Sequence, residues 1–396
     1  MVSPAVRFAL SSVSLLAAFA VPIFASTGSP FYGDAPDQSH PWAIHDQNRP
    51  QPPVVTPGTF SSADQPGKPP SDAIVLFDGT AESLANWASD KNEGAPTQWI
   101  ARDGAMECVP KSGYVRSKRL IGDCQLHVEW AAPAKAQGDS QGRGNSGIFL
   151  MGIYEIQVLD NYNNPTYADG FACAAYGSSP PLANALRPPG EFQVIDIVFR
   201  RPVYRDGRVI DPGYVTVFCN GVLVQDHTQI EGPTGHRTRA VAGPFPEKGP
   251  LKLQDHGNPV RYRNIWYREL SARAVEGGTD GPLSVEATAA KRKEIAAGIR
   301  ADAAKMDGKT TASMLRLAES LVYEQDAATL EQVKTWQARY VAGLASLSAD
   351  ELKAKEGEVK TVFRAFQFLV KFKIVPADSA PQQELTQLVK SHGWDK

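Results

Sequence analysis

The first chemical signal is one short run, Glu155-Ile156-Gln157-Val158-Leu159-Asp160. A carboxylate can take or give a proton, and an amide beside it can hold the hydroxyls of a polar substrate. In an extended chain, period two puts Glu155, Gln157 and Leu159 on one face and Ile156 and Val158 on the other. A carboxylate and an amide side by side are costly inside a core and tolerable in a ligand groove. The same pattern also fits the solvated face of an antiparallel sheet. Asp160 then opens a polar, aromatic loop through Asn161, Tyr162, Tyr167 and Asp169.

Three histidines lie beside acidic or glycine residues, in Asp226-His227, Gly235-His236 and Asp255-His256-Gly257. His256 is the most distinctive, because it ends the run Leu251-Lys252-Leu253-Gln254-Asp255 and a strand end holds a base more rigidly than a mid-loop site. Next comes Val260-Arg261-Tyr262-Arg263-Asn264-Ile265-Trp266, whose alternation puts Arg261 and Arg263 on one face and Tyr262, Asn264 and Trp266 on the other. Two arginines on one face can clamp a polyol or a developing oxyanion, or form surface ion pairs. A divalent metal ion held by the histidines is admitted, but no spacing demands it. Gly142-Arg143-Gly144-Asn145-Ser146-Gly147 fits the dinucleotide pattern G-x-G-x-x-G, yet a polar loop precedes it and a strand follows, so the helix N-terminus that pyrophosphate needs is missing.

The elements that must position these residues read as strands from Ile74 to about Leu270. Gln125 to Trp130 alternates strictly, with Leu126, Val128 and Trp130 on one face. Gly147–Met151 and Tyr154–Leu159 form a hairpin pair around Gly152, and Asn220-Gly221 marks another, because a type I′ turn needs positive φ at both central residues. Many short strands without intervening helices argue for an all-β sandwich. Beyond the Gly-rich break at 276–282 the period becomes helical: Val359, Val362, Phe363, Phe366, Leu369 and Val370 follow i, i+3, i+4, i+7. Helical stretches are expected at 291–305, 312–323 and 329–344, with Thr329 and Ser348 as caps, the latter in a capping box with Glu351. This helical domain serves packing or partner contact, and no catalytic constellation is visible in it.

The 396 residues suffice for two or three domains, and 41 Lys+Arg against 43 Asp+Glu exclude a charge-driven nucleic-acid binder. Residues 281–396 hold only three of the 30 Pro and six of the 33 Gly, so the chain carries two compositions. The expected division is an export signal over 1–25, a Pro-rich arm over 26–71, a β domain over 72–272, a linker over 273–285 and helices over 286–396. Arg7, the apolar Phe8–Ala25 stretch and small residues near Ala25 read as a cleaved signal, with Pro22 arguing against a membrane anchor. An exported, periplasmic or secreted protein follows, without a membrane span in the mature chain. Residues 27–71 contain ten Pro and no apolar periodicity, as a tether or surface-draped arm would. Cys108, Cys124, Cys173 and Cys219 permit disulfides in such a compartment, or are four small buried residues.

Leu76-Phe77-Asp78-Gly79, Gly144-Asn145-Ser146-Gly147-Ile148, Tyr154 to Val158, Arg187-Pro188-Pro189-Gly190-Glu191, Asn220-Gly221-Val222, Leu253 to Gly257 and Arg263 to Trp266 together resemble the 3-keto-disaccharide hydrolase domain family, over about 72–270. The resemblance implies a concanavalin A-like antiparallel β-sandwich (a jelly roll), followed here by a small C-terminal α-helical domain. It also implies an exported enzyme acting on glycosides oxidised at C3. The chemistry would be C2 proton abstraction, elimination of the C1 substituent and hydration. On that basis Glu155 or His256 is the base, and Arg263, alone or with a divalent metal ion, stabilises the enolate. Asn145, Gln157, Asp160, Arg187 and Arg261 would bind the carbohydrate.

Two rivals remain. Laminarinase-type enzymes of the same fold carry a strand resembling Glu-x-Asp-x-x-Glu; here Gln157 replaces the middle Asp and Asp160 the last Glu, which argues against two-carboxylate hydrolysis. A non-catalytic carbohydrate-binding module is the other, since this fold also serves lectins.

Overall fold

The computed structural model describes residues 30–395, except 93, 231, 244–245, 279–280 and 309. The expected export signal therefore lies outside the described residues. Two compact units emerge: 51–283, and 30–50 together with Ser284–Lys396. Within the Pro-rich arm, residues 30–50 group with the helical unit and 51–71 with the β unit.

The first unit contains β1 (Ile74–Phe77), β2 (Trp87–Ser89), β3 (Ile100–Arg102), β4 (Ala105–Glu107), β5 (Val115–Ile121), β6 (Cys124–Ala131), β7 (Ser146–Leu150) and β8 (Tyr154–Val158). It continues with β9 (Gln193–Arg200), β10 (Val203–Arg205), β11 (Arg208–Asp211), β12 (Gly213–Cys219), β13 (Val222–Ile230), β14 (Gly249–Leu253) and β15 (Arg261–Glu269). A large sheet runs β13-β12-β9-β6-β15-β4-β3, with β1 also on β15, and a five-stranded sheet runs β2-β5-β14-β7-β8. Every pairing is antiparallel. The two sheets close on one core: Leu126, Val128 and Trp130 of β6 and Ile195, Ile197 and Phe199 of β9 meet Ile156 and Val158 of β8 and Leu251 and Leu253 of β14. The chain forms a mainly antiparallel β-sandwich followed by a helical domain.

Local chemistry accounts for the hairpins. Asn220 and Gly221 have φ of 52° and 81°, the type I′ combination, and pair Cys219 with Val222. Met151 and Gly152, at 51° and 75°, turn β7 into β8. Strand β15 departs from simple alternation. Asn264 is left-handed at φ 47°, and the β6 register shifts between Arg263 and Trp266. This bulge sends Ile265 into the core and turns Asn264 and Trp266 outward with Arg263, which corrects the face assignment made from period two. All four cysteines are buried free thiols.

The other unit has six helices among the described residues: α1 (Val285–Lys305), α2 (Thr311–Ser320), α3 (Ala327–Leu344), α4 (Ala349–Ala354), α5 (Glu356–Lys371) and α6 (Ala380–Ser391). Val359, Val362, Phe366 and Leu369 of α5 pack with Val333 and Val341 of α3 and Leu385 and Val389 of α6. Phe31 joins this core. Ser348 and Glu351 form the expected capping box. The α3 cap, however, is Asp326, which accepts from the Thr329 amide, so Thr329 stands one turn inside the helix. No helix among the described residues is long and apolar enough to cross a membrane.

Candidate active site on the outer face of the small sheet

Strand β8 edges the small sheet. Tyr154, Ile156 and Val158 enter the core, so alternation directs Glu155 and Gln157 to the sheet's outer face. Across the sheet, Glu155 pairs with Phe149, which pairs with Lys252, and Gln157 pairs with Gly147. The Gln254 amide then donates 3.0 Å to the Gly147 carbonyl, which brings Gln254 to the other flank of that glycine. Asn145 precedes Gly147 by two residues and shares its face. The Glu155 carboxyl and the Phe149 ring lie over Gly147, and alternation puts Asn145, Gln157 and Gln254 around it on the same outer face, so that these side chains bound a hollow with Gly147 as its floor.

The outer face is nevertheless covered. Residues 172–176 run beside β8: Cys173 N donates to Gln157 O at 2.8 Å, and Tyr176 N donates to Glu155 O at 3.1 Å. Glu155 is 6 % exposed, Asn145 3 % and Gln157 1 %. Burial pushes the Glu155 carboxyl up to about 8, because no cation or hydrogen bond among the described residues offsets the loss of water. Lys252, on the same face, is engaged by Asp90 at 3.1 Å.

The amides are oriented from behind. Asn145 Nδ2 donates to Gln141 O at 2.7 Å, and Gln157 Nε2 donates to Gln141 Oε1 at 3.0 Å and to Gly170 O at 3.4 Å. Gln254 Nε2 donates to the Tyr114 hydroxyl at 2.7 Å. With their N–H groups committed, Asn145 Oδ1, Gln157 Oε1 and Gln254 Oε1 are left buried without a donor. Each orphaned oxygen costs about 1–3 kcal/mol unless something fills the hollow. One carboxyl and three carbonyl oxygens thus await hydrogen-bond donors, the complement of a polyol. They are also hard oxygen donors of the kind that calcium takes. Among the described residues there is no group of three His, Cys, Asp or Glu able to hold a metal.

Of the residues singled out in the sequence, Glu155, Gln157 and Asn145 come together. His256 lies on the loop after β14 and is exposed; Asn258 Nδ2 reaches its carbonyl at 3.3 Å, while Asn258 Oδ1 accepts from Gly144 N at 3.1 Å. That ties the His256 loop to the segment that carries Asn145. Asp160 is consumed by Arg143, which holds it bidentately at 2.7 and 3.0 Å. It braces the loop and is not a second free carboxylate. Arg187 Nη1 donates to Phe192 O at 2.6 Å and does not join this group.

Arg263 and Arg261 do not face Glu155. Both leave β15 on the outer face of the large sheet, across the core from the hollow. Arg263 Nε donates 2.7 Å to Glu129 Oε2, and its remaining nitrogens reach the carbonyls of Ser62, Ala63 and Asp64. Glu129 is 0 % exposed and also accepts from Asn264 Nδ2 at 2.7 Å. Burial opposes the Glu129 charge, yet hydrogen bonds from His127, Asn264, Ser61 and Arg263 hold its carboxyl below the usual range. His127 lies between Glu129 and Asp196; burial disfavours its charge, but the two carboxylates outweigh that and raise it to about 9. Arg263 is therefore a clamp fixing the arm to the large sheet, and the expectation that it stabilises an enolate beside Glu155 is not met. Arg261 spans Glu107 and the Arg102 carbonyl.

Residues 72–268 match the family model described as the 3-keto-alpha-glucoside-1,2-lyase-like domain. A candidate glycosyl hydrolase from Parabacteroides distasonis ATCC 8503, solved by crystallography, is 46 % identical, and the match covers 56 % of this chain and 93 % of that one with a TM-score of 0.53. The chain belongs to the 3-keto-alpha-glucoside-1,2-lyase-like family. A second candidate glycosyl hydrolase of the same organism is 19 % identical, with 50 % and 94 % of the two chains covered and a TM-score of 0.36. No curated protein matches. Family and neighbour make this a glycoside hydrolase-like protein with a carbohydrate-acting β domain. The helical unit lies outside the matched residues.

Sequence reasoning missed Gln254, Tyr114 and Tyr176. Period two from Lys252 would have put Gln254 on the same face. Tyr114 and Tyr176 flank recognisable strands without belonging to them, so no alternation marked them.

Proposed function

We propose that this protein is an exported enzyme that cleaves the glycosidic bond of 3-keto-glycosides, with Glu155 as the base. The observation that carries this reading is a buried carboxyl, raised to about 8, on the same face as three buried carbonyl oxygens without hydrogen-bond donors. A ketone at C3 acidifies the C2 proton. Glu155, once ionised, takes that proton, and the C–H electron pair forms the enolate. The enolate then collapses, the C1–O bond breaks with its electrons going to the bridging oxygen, and a C1=C2 enone remains. Water adds across that enone, returning a proton to C2, so the net change is hydrolysis. The carbonyl oxygens of Asn145, Gln157 and Gln254 accept hydrogen bonds from sugar hydroxyls and hold C2 against the carboxylate.

A raised carboxyl suits this task better than an ordinary one, since a base works best with a pKa near the working pH. Two-carboxylate hydrolysis is disfavoured, because Asp160 is neutralised by Arg143. Export rests on Arg7 and the apolar stretch that follows it.

The test is a product assay on purified protein with a 3-keto-disaccharide and its unoxidised parent, with and without chelator. Release of 3-keto-monosaccharide from the first substrate alone, lost in Glu155→Gln, is the expected result. Sugar binding without release would establish a carbohydrate-binding module instead, and cleavage of the parent sugar would establish ordinary hydrolysis. Loss on chelation would assign the oxygens of the hollow to a metal ion.

A further inference from the structure

The reaction proposed above needs two more groups. C2 lies between the carbon that bears the ketone and the carbon that bears the leaving group, so a base at C2 is best flanked by a proton donor on either side. We propose that Tyr114 and Tyr176 are these donors, with Tyr114 hydrogen-bonding the C3 oxygen and Tyr176 protonating the departing glycosidic oxygen. This assignment rests on the reading of the reaction.

Tyr176 is placed by backbone geometry. Ala175 bridges Ile156 in antiparallel register, and Tyr176 N donates 3.1 Å to Glu155 O. Ala175 shares the buried side with Ile156, so the next residue shares the outer face with Glu155, immediately beside it. The Tyr176 hydroxyl lies 3.0 Å from His236 Nδ1 and 3.0 Å from the Tyr167 hydroxyl. His236 and Tyr167 are both exposed, so this chain connects the hollow to solvent.

Tyr114 stands across the hollow. Its ring packs on Phe149 with centroids 5.9 Å apart, and its hydroxyl accepts 2.7 Å from Gln254 Nε2. Accepting from that amide turns the phenolic hydrogen away from Gln254. Burial raises both phenols, and the nearby Glu155 charge adds to it, so each stays protonated as a donor when Glu155 is ionised.

The step balances with these groups alone. Glu155 takes the C2 proton, and the C3 oxygen gains the electron pair under the Tyr114 hydrogen bond. The C1–O electrons then leave with the bridging oxygen, which takes the Tyr176 proton. In the hydration that follows, the water oxygen bonds to C1 and its released proton passes through His236 to the Tyr176 phenolate, while Glu155 returns its proton to C2, so both groups are regenerated.

Leaving-group dependence tests the assignment. Two 3-keto-glucosides are compared, one with a nitrophenol aglycone, which departs without an acid, and one with an alkanol aglycone, which needs it. Tyr176→Phe is expected to lose about 100-fold or more in kcat/KM on the alkyl glycoside and less than about 5-fold on the nitrophenyl one. Tyr114→Phe is expected to lose about 100-fold on both, because the enolate forms in either case. If Tyr176→Phe does not fold, His236→Ala carries the same contrast. Equal losses on both glycosides for the Tyr176 or His236 variant, or none, overturn the assignment. A wild-type protein inert on both substrates would instead remove the reading of the reaction.

Discussion

The Glu155 carboxyl lies where a side chain at Gly147 would be: a Cβ there would stand 2.3 Å from Oε1. Gly147 has no positive φ, so its backbone would accept alanine without strain. Glycine is needed there for space alone. Gly147→Ala should therefore give a folded protein whose melting temperature moves by a few degrees, since overpacking of this kind costs about 1–3 kcal/mol. Turnover of a 3-keto-disaccharide should nonetheless fall about 100-fold or more, because the base is displaced by an ångström or so. A Gly147→Ala protein with wild-type kcat/KM would show that the carboxyl need not lie over position 147.

Glu155 ties activity and stability to the same titration in opposite directions. Its folded-state pKa, about 8, lies above the ordinary value of 4.5. The folded protein holds this proton while the unfolded chain has lost it, so the group's contribution to stability is complete below about pH 4.5 and declines as pH rises toward 8. Glu155→Gln removes this dependence. Thermal melts should show the variant little changed at pH 4 and more stable than wild type at pH 8–9, by a few kcal/mol at most. The wild-type kcat/KM should rise with pH until about 8, where the base is ionised. Parallel stability curves for the two proteins would mean that Glu155 titrates normally.

Arg263 should matter for folding and little for chemistry. It fills a buried pair with Glu129 at 2.7 Å and ties down the arm through three carbonyls. Arg263→Met takes the guanidinium from buried Glu129 and leaves its charge to His127 and Asn264, and breaking a buried pair in this way costs about 3–5 kcal/mol. Denaturant titration should show that loss. Whatever fraction stays folded should keep kcat and its pH profile, because the clamp is on the opposite sheet from Glu155. A changed pH profile with stability intact would restore Arg263 to a catalytic part.

The residues that were legible in the sequence are those governed by local rules. Alternation alone put Glu155 and Gln157 on one face, and Asn220-Gly221 specified its hairpin, because both depend on a few consecutive dihedrals. Asn264 and Trp266 were put on the wrong face for an equally local reason: one left-handed residue, Asn264, shifts the register after it. Arg263 kept its expected face, but which sheet that face belongs to is a long-range fact. Its partner Glu129 is 134 positions away, and nothing at either position names the other. The same holds for Tyr114 and Tyr176, which reach the hollow from opposite sides through folding of the sheet. Lys252 and Gln254 show the intermediate case, where period two extends one residue beyond the strand and identifies the flank of the hollow.

His256→Ala, set beside Glu155→Gln, tests which of the two bases left open by the sequence takes the proton. His256 is exposed on the loop after β14, tied to Gly144 through Asn258, whereas Glu155 Oε1 lies over Gly147. In the proposed reaction such a histidine steadies the aglycone or an outer hydroxyl, and the carboxyl above the hollow abstracts the C2 proton. His256→Ala should fold normally, raise KM by about 3- to 10-fold and leave kcat within about 5-fold, with the rise in kcat/KM still centred near pH 8. Glu155→Gln should lose kcat by about 1,000-fold, within the range for a deleted general base. The reverse result, with kcat abolished in His256→Ala and retained in Glu155→Gln, would transfer the base to His256 and leave Glu155 as a ligand for a sugar hydroxyl.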